Sequence, residues 1–562
     1  LIPLDSINWV VTTEVGLFDA TQSAMRALHY VQGAETIDID QLKQTYYEPS
    51  LLPKILGYNN EPIRTAKNLT ELALYPEINL QHPSLNNGKL GIQLEDQGGG
   101  YGQIVVLIND KEVVRDLSEM VAVDKLRPEI SMTYDLKNHP YIKEGELNKV
   151  SVKAYNKTGN IVSKPKNLYL LPTSNGKKQK PKLHALLVGV SDYVGAELDL
   201  SLAAKDATDL SKALTASANQ YLGGDNIDVV LLTTDNKNPF FKPTKQNIKR
   251  ALDLFAKNSG PNDILFLYLA GHGVNYGGTE GDFYFLTADA QSGTLTDDGV
   301  RNGVAISSLE FTELIKKIPA TKQVMIIDAC HSGQFLGDLS KNMSSSQVRA
   351  METLKDKTGL YVLAGSAADA LSYESGSFGH GILTYSLLYG IKGPALRENE
   401  FIDILKLFQF SIDKVPQLAA GIGGIQKPEL RVPAEATSFD IGKMLEAEKN
   451  NIELTHPKPV FIRSDFREET EDFDVLDLSA ELDTELRLRA KEGSGKIDFV
   501  DTRKFEDGLV LRGRYAKNGT IITAKVRYFK GVKLLGEFEM NSEGINDLAK
   551  KIVEQVVKNL AP

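Results

Sequence analysis

Short apolar runs that stop abruptly on polar residues or glycine organise the middle of the chain. Ala185 to Val190, Ile227 to Leu232, Ile264 to Leu269, Val324 to Ile327 and Tyr361 to Ala364 are continuous rather than alternating. That is the pattern of strands buried on both faces. Helices are expected between them, over Ala203 to Leu214, Lys245 to Ala256, Ser307 to Ile318 and Gly381 to Gly390. Regular alternation of buried strand and helix predicts an α/β fold, a mainly parallel sheet sandwiched by helices, over residues 182–440.

The flanks follow other periods. Over residues 75–173, Ile92 to Glu95 and Lys149 to Tyr155 alternate, and Gln103 to Ile108 closes on an Asn109-Asp110 turn, which predicts a small β-sandwich. The glycine run Gly98 to Gly100 lacks a framing strand and helix, so it reads as a loop and not a phosphate cradle. Residues 455–562 predict a small α/β module. It has a helix over Val475 to Lys491, strands over Gly508 to Tyr515, Ile521 to Phe529 and Lys533 to Met540, and a last helix capped by Ser542. Residues 1–74 hold one strand, Trp9 to Thr13, a turn at Gly16 to Asp19 and an amphipathic helix. A polar, basic linker, Thr173 to Lys182, separates the β region from the α/β region.

Chemistry concentrates where two of the central runs end. Val324 to Ile327 leads into Asp328, the single cysteine Cys330, and Ser332-Gly333. Ile264 to Leu269 leads into Gly271-His272-Gly273. Open α/β sheets present chemistry outside the carboxyl ends of their strands, so two neighbouring strands would bring His272 beside Cys330. A thiol with a histidine in reach is an activated nucleophile. Either residue alone is equally well read as a small core cysteine or a loop histidine; the pair at two strand ends is what points to catalysis.

LAGHG and DACHSG, with the opening strand HALLVGVSDY and the later stretch LAGSAADALSYES, resemble the caspase-like cysteine peptidases of clan CD. The likeness is to their bacterial metacaspase or orthocaspase branch, of the type found fused to WD-repeat propellers. The separation of the two motifs is close to the roughly fifty residues expected of caspases. The resemblance implies a cysteine endopeptidase with Cys330 as nucleophile and His272 as base, and with the backbone N–H groups of Gly273 and Cys330 as oxyanion hole. It also implies that Asp328, two residues before the cysteine, and Asp206 line the primary specificity pocket. Carboxylates there favour protein substrates cut after Arg or Lys. The serine usual two residues before the metacaspase histidine is Ala270 here. The sandwich resembles an immunoglobulin-like domain, the C-terminal module loosely resembles the small domain of TolB-like proteins, and residues 1–74 resemble the passage leaving a WD-repeat propeller. The alternative reading is a catalytically silent caspase-like scaffold acting through these flanking modules, which are expected to bind protein partners.

Composition narrows the setting. A net charge of -10 gives no reason to expect nucleic acid or an anionic membrane as partner, and no run approaches a membrane span. One cysteine excludes an intrachain disulfide and fits a reducing, cytoplasmic setting. The chain of 562 residues opens on Leu1, without methionine or a signal-like segment, so a processed form or fragment is expected. No cofactor is required by this chemistry. Calcium is the candidate ion by resemblance, but Asp289, Asp297 and Asp298 lack a recognisable ligand spacing, so no metal ligand is assigned. Between Cys330 and Tyr361 lies a serine-rich stretch carrying Lys341, Arg349, Lys355 and Lys357, expected to be an exposed loop. Self-cleavage is expected there after Arg349 or Lys341, with the lysine-rich linker as a secondary site.

Overall fold

The computed structural model describes every residue except 33–34, 70–72, 84–87, 174–179, 279–280, 332–343, 366–377, 421–425, 434, 455–458, 492–496, 501–507 and 561–562. At Arg26, Cys330, His331, Lys491, Asp498 and Val500 it describes the backbone alone. Lys341, most of the linker and most of LAGSAADALSYES lie outside the described residues.

The central sheet is built as its apolar runs require. Its strands are β1 (Leu183–Gly189), β2 (Ile227–Thr233), β3 (Ile264–Tyr276), β4 (Asp282–Leu286), β5 (Ala305–Ser307), β6 (Lys322–His331), β7 (Tyr361–Ala364) and β8 (Glu429–Arg431). Their order is β2-β1-β3-β6-β7-β8, parallel except for β8, with β4 and β5 continuing off the far end of β3. The helices are α1 (Ala203–Leu222), α2 (Lys245–Asn258), α3 (Ser308–Lys316), α4 (Ser345–Thr358), α5 (Ile382–Ile391) and α6 (Ile404–Ala420). One face of the sheet packs Leu210, Leu214, Leu383, Leu387 and Phe408 from α1, α5 and α6. The other packs Ile248, Phe255, Phe311, Val348 and Met351 from α2, α3 and α4. The strand order reverses between β1 and β3, the position at whose carboxyl ends open sheets of this kind bind ligands.

Three expectations are corrected here. First, β3 and β6 do not end before their polar residues: the parallel ladder between them runs on through His272 and Cys330 to Gly273 and His331. Second, the stretch expected to be an exposed loop contains α4, whose Ser344 and Gln347 form a reciprocal capping box and which stops at Gly359, φ +73°. Lys355 on this helix is buried, not exposed. Third, Phe18 at the expected turn is the first residue of a short strand, Phe18–Ala20, paired antiparallel with Trp9–Thr12.

The two parts that precede this core are fastened to it. Val10, Phe18, Ile37, Leu42 and Tyr46 belong to the same apolar cluster as Leu269, Ile327 and Met351, so residues before 74 share the core of the sheet. Lys43 is ion-paired to Glu352 and Asp356 of α4. The β region is two antiparallel sheets of three and four strands around Leu94, Ile104, Val106, Ile130 and Val152. Asn109 and Asp110, with φ of +52° and +66°, make the tight turn expected there. This region also caps α3: the buried Lys111 amine donates to the Ile318 carbonyl and the Tyr141 hydroxyl to that of Lys316. It is therefore docked on the central domain. The C-terminal sheet packs Leu478, Leu482, Ile552 and Val556, from helices Leu478–Lys491 and Ile545–Leu560, into a core of its own.

Candidate active site

The register of β3 against β6 places Ala270 opposite Asp328 and His272 opposite Cys330. Two residues far apart in sequence thus become lateral neighbours, because parallel strands of one sheet lie about 4.8 Å apart. Glycine at both sides of His272 is a steric requirement. A Cβ on Gly271, φ +156°, would lie 2.9 Å from the Tyr193 hydroxyl, and one on Gly273 would lie 2.3 Å from the Phe283 ring.

Those close approaches fix the histidine. The buried ring of His272 packs on Tyr193 at 5.4 Å between centroids, and its backbone N–H donates to the Tyr193 hydroxyl at 2.8 Å. Its Nε2 lies 2.8 Å from the Leu198 carbonyl oxygen. A carbonyl oxygen can only accept, so Nε2 carries the hydrogen and Nδ1 of the neutral ring keeps its lone pair. Nδ1 is then the atom able to take a proton.

A second cluster lies on the α1 and α5 side. Asp328, two residues before Cys330, accepts the Thr384 hydroxyl at Oδ2 at 2.7 Å, and Thr384 is 2.6 Å from the Tyr268 hydroxyl. Asp206 sits in the first turn of α1 and is only 3% exposed. Its Oδ2 accepts the Gly381 N–H at 2.9 Å, and its Oδ1 lies 2.7 Å from His380 Nδ1. The two carboxylates converge: a Cβ on Gly381 would stand 3.0 Å from Asp206 Oδ2 and 3.2 Å from Asp328 Oδ2. Burial pushes both carboxyls up, Asp328 to about 7, with the neighbouring Asp206 adding to the rise. Hydrogen bonds from His380 and from the Gly381 N–H act the other way on Asp206. The arrangement can receive a cation.

Other expected residues fall elsewhere. Arg349 is on α4, 17% exposed and 3.6 Å from the fully buried Glu48, so it is no loop tip; a helix anchored by buried charges does not unfold readily into a cleft. Asp297 caps the helix Asp298–Val304 through the Val300 N–H, Asp298 pairs with Arg301, and Asp289 meets the Thr287 hydroxyl at 3.4 Å. Among the described residues no three acidic, histidine or cysteine side chains gather as a metal would need. A cleft of about 430 Å³ lined by Lys143, Tyr169, Lys322, Tyr361 and Phe439 lies at the opposite, amino ends of β6 and β7. It takes no part in this site.

Sequence reasoning missed Tyr193, Leu198, Tyr268, His380 and Thr384. One signal for His380 was present: Gly379-His380-Gly381 repeats the triplet Gly271-His272-Gly273, and it directly precedes a helix.

Residues 182–435 match the family model of the caspase domain. Metacaspase-1A of Neurospora crassa is 31% identical over 202 residues, 35% of this chain and 40% of its own length. Metacaspase-1 of Ajellomyces capsulatus is 32% identical over 197 residues, 35% of this chain and 52% of its own, and Metacaspase-1B of Aspergillus fumigatus is 33% identical over 207 residues, 36% and 45%. The chain therefore spans about half the length, or less, of the curated relatives it matches. A solved polysaccharide deacetylase from Bacillus cereus aligns at 10% identity over 51% of this chain and 79% of its own, with a TM-score of 0.13, too low to bear on fold or activity. The centre of the chain thus matches the caspase domain, and the relatives it resembles there are metacaspases.

Proposed function

We propose that the chain is a cysteine endopeptidase that hydrolyses protein substrates after Arg or Lys through a Cys330-His272 dyad. The observation that carries the reading is the register pair His272 and Cys330, with the His272 tautomer that leaves Nδ1 able to accept a proton. In this reading the Cys330 thiolate attacks the scissile carbonyl and His272 receives the thiol proton. The backbone N–H groups of Gly273 and Cys330 hold the oxyanion, and the imidazolium returns its proton to the leaving amine. Water then releases the acyl group from the sulfur. The side chain before the scissile bond enters between Asp206 and Asp328, whose convergence on Gly381 supports a cationic specificity. An inert scaffold would have no use for a fixed base tautomer or for two desolvated carboxylates.

The test is a panel of fluorogenic peptides differing only in the residue before the scissile bond, assayed with and without calcium against parent and Cys330→Ala protein. Cleavage after Arg and Lys by the parent alone is expected. Efficient cleavage after Asp would overturn the pocket assignment. Turnover of no peptide under either condition would favour the scaffold reading.

A further inference from the structure

His380 and Lys205 form an arrangement that the dyad does not explain. His380 is 1% exposed, with Nδ1 2.7 Å from Asp206 Oδ1 and Nε2 3.0 Å from the Lys205 ammonium nitrogen. An ionised carboxylate can only accept and an ammonium can only donate. These two neighbours therefore fix His380 as a neutral ring with its hydrogen on Nδ1, the opposite tautomer to His272. Lys205 is itself held by Asp209 at 2.7 Å, one helical turn along α1, so the donor to Nε2 is kept in place.

The consequence falls on Asp206. With Oδ1 taken by His380 and Oδ2 by the Gly381 N–H, the carboxylate plane is locked in orientation. It is also a buried anion, and such a group stays ionised only while hydrogen bonds compensate its lost hydration. Resting on the reading of Asp206 and Asp328 as the specificity pocket, we propose that His380 is a positioning residue for specificity. Through its Nδ1–H, held in that tautomer by Lys205, it keeps Asp206 ionised and aimed, and so sets the preference for a cationic over a neutral side chain. Without it, Asp206 takes up a proton and the pocket loses that charge.

The experiment compares kcat/KM for two peptides differing only in Arg or citrulline before the scissile bond, since citrulline keeps the shape of arginine without its charge. This ratio cancels any loss of correctly folded enzyme, which a merely structural role would cause. In the parent the ratio should strongly favour Arg; a ratio near one would overturn the pocket reading itself. In His380→Ala the ratio should fall about tenfold or more, the worth of a charge-assisted hydrogen bond, while the citrulline peptide changes less than about threefold. His380→Asn, whose amide can place an N–H near the Nδ1 position, should restore most of the ratio. His380→Gln, which reaches toward the Nε2 position, should not. If His380→Ala does not fold, the Asn and Gln variants decide. A parent-like ratio in His380→Ala, equal losses on both peptides, or equal behaviour of Asn and Gln would each overturn the inference while leaving the pocket reading intact.

Discussion

The Nε2 of His272 lies 2.8 Å from the carbonyl oxygen of Leu198. That contact leaves the lone pair on Nδ1, on a residue whose register partner in the next strand is Cys330. Cys330→Ala should abolish turnover, and His272→Ala should lower kcat by about 10²- to 10⁴-fold, the usual worth of a placed general base. Tyr193→Phe removes the acceptor of the His272 N–H and should cost about tenfold in kcat with little change in KM. Steady-state kinetics on samples of matched melting temperature check all three. Full activity in Cys330→Ala would discard the dyad.

Asp328 makes the pocket sensitive to pH. Its folded pKa of about 7 lies above the ordinary 3.8, so between these values the native state holds a proton that the unfolded state has lost. Stability therefore falls as pH rises across that window, and Asp328→Asn should be more stable than the parent above pH 7, with the difference gone below the unfolded value. Binding runs the other way. A cation that needs the ionised carboxyl, such as benzamidine, should bind about tenfold more weakly for each pH unit below 7. The neighbouring Asp206 adds to the rise, so the slope belongs to the carboxylate pair. Inhibition constants from pH 5 to 9 with parent and Asp328→Asn would show it; an unchanged slope in the variant would remove Asp328 as its source.

Glu48 ties the N-terminal part to α4. It is fully buried and accepts from Lys54 and from Arg64 at 2.8 Å, with Arg349 at 3.6 Å, while Glu61 accepts the Ser345 N–H at the start of α4 at 3.2 Å. Glu48→Ala leaves buried cations uncompensated and should destabilise the protein by about 3 to 5 kcal/mol. It should also open the Arg349 bond to trypsin, which should spare that bond in the parent. Mass spectrometry of timed digests, with a denaturant melt, distinguishes this from an unconnected N-terminal segment, for which neither quantity would move.

Lys111 predicts an alkaline signature. Burial, with the charge of Lys316 beside it, holds its amine well below the ordinary 10.5, so the unfolded chain binds a proton that the native state does not. Stability should then rise with pH toward 10.5, and Lys111→Met should flatten that rise. Urea melts at pH 7, 8.5 and 10 test it, and parallel curves for the two proteins would show that the amine is charged when folded.

Much of the central fold was legible because its signals are local. A strand buried on both faces must be apolar throughout, and Ala185 to Val190 and Tyr361 to Ala364 are. Helices between such runs force parallel strands, and parallel strands bring their polar ends to one edge, which is enough to bring His272 near Cys330. A local signal for α4 was also available, since Ser344 and Gln347 have the capping-box spacing ahead of Val348, Met351 and Leu354. Its serine-rich opening concealed it.

What only the tertiary structure decided are relationships between distant residues. Nothing in the composition around Leu198 marks its carbonyl as the partner of His272, because any residue supplies a carbonyl and only the path of the chain after β1 aims this one. His380, Thr384 and Tyr268 likewise acquire meaning from what they meet, two carboxylates contributed by a helix and another strand. The same holds for Lys43 and Glu48, charged residues of the N-terminal segment that are buried partners of α4. Hydrophobic period fixes which residues face inward on an element. Which element stands opposite is set by loop paths and packing across the sheet, and so are the tautomer of each histidine and the charge of each buried carboxyl.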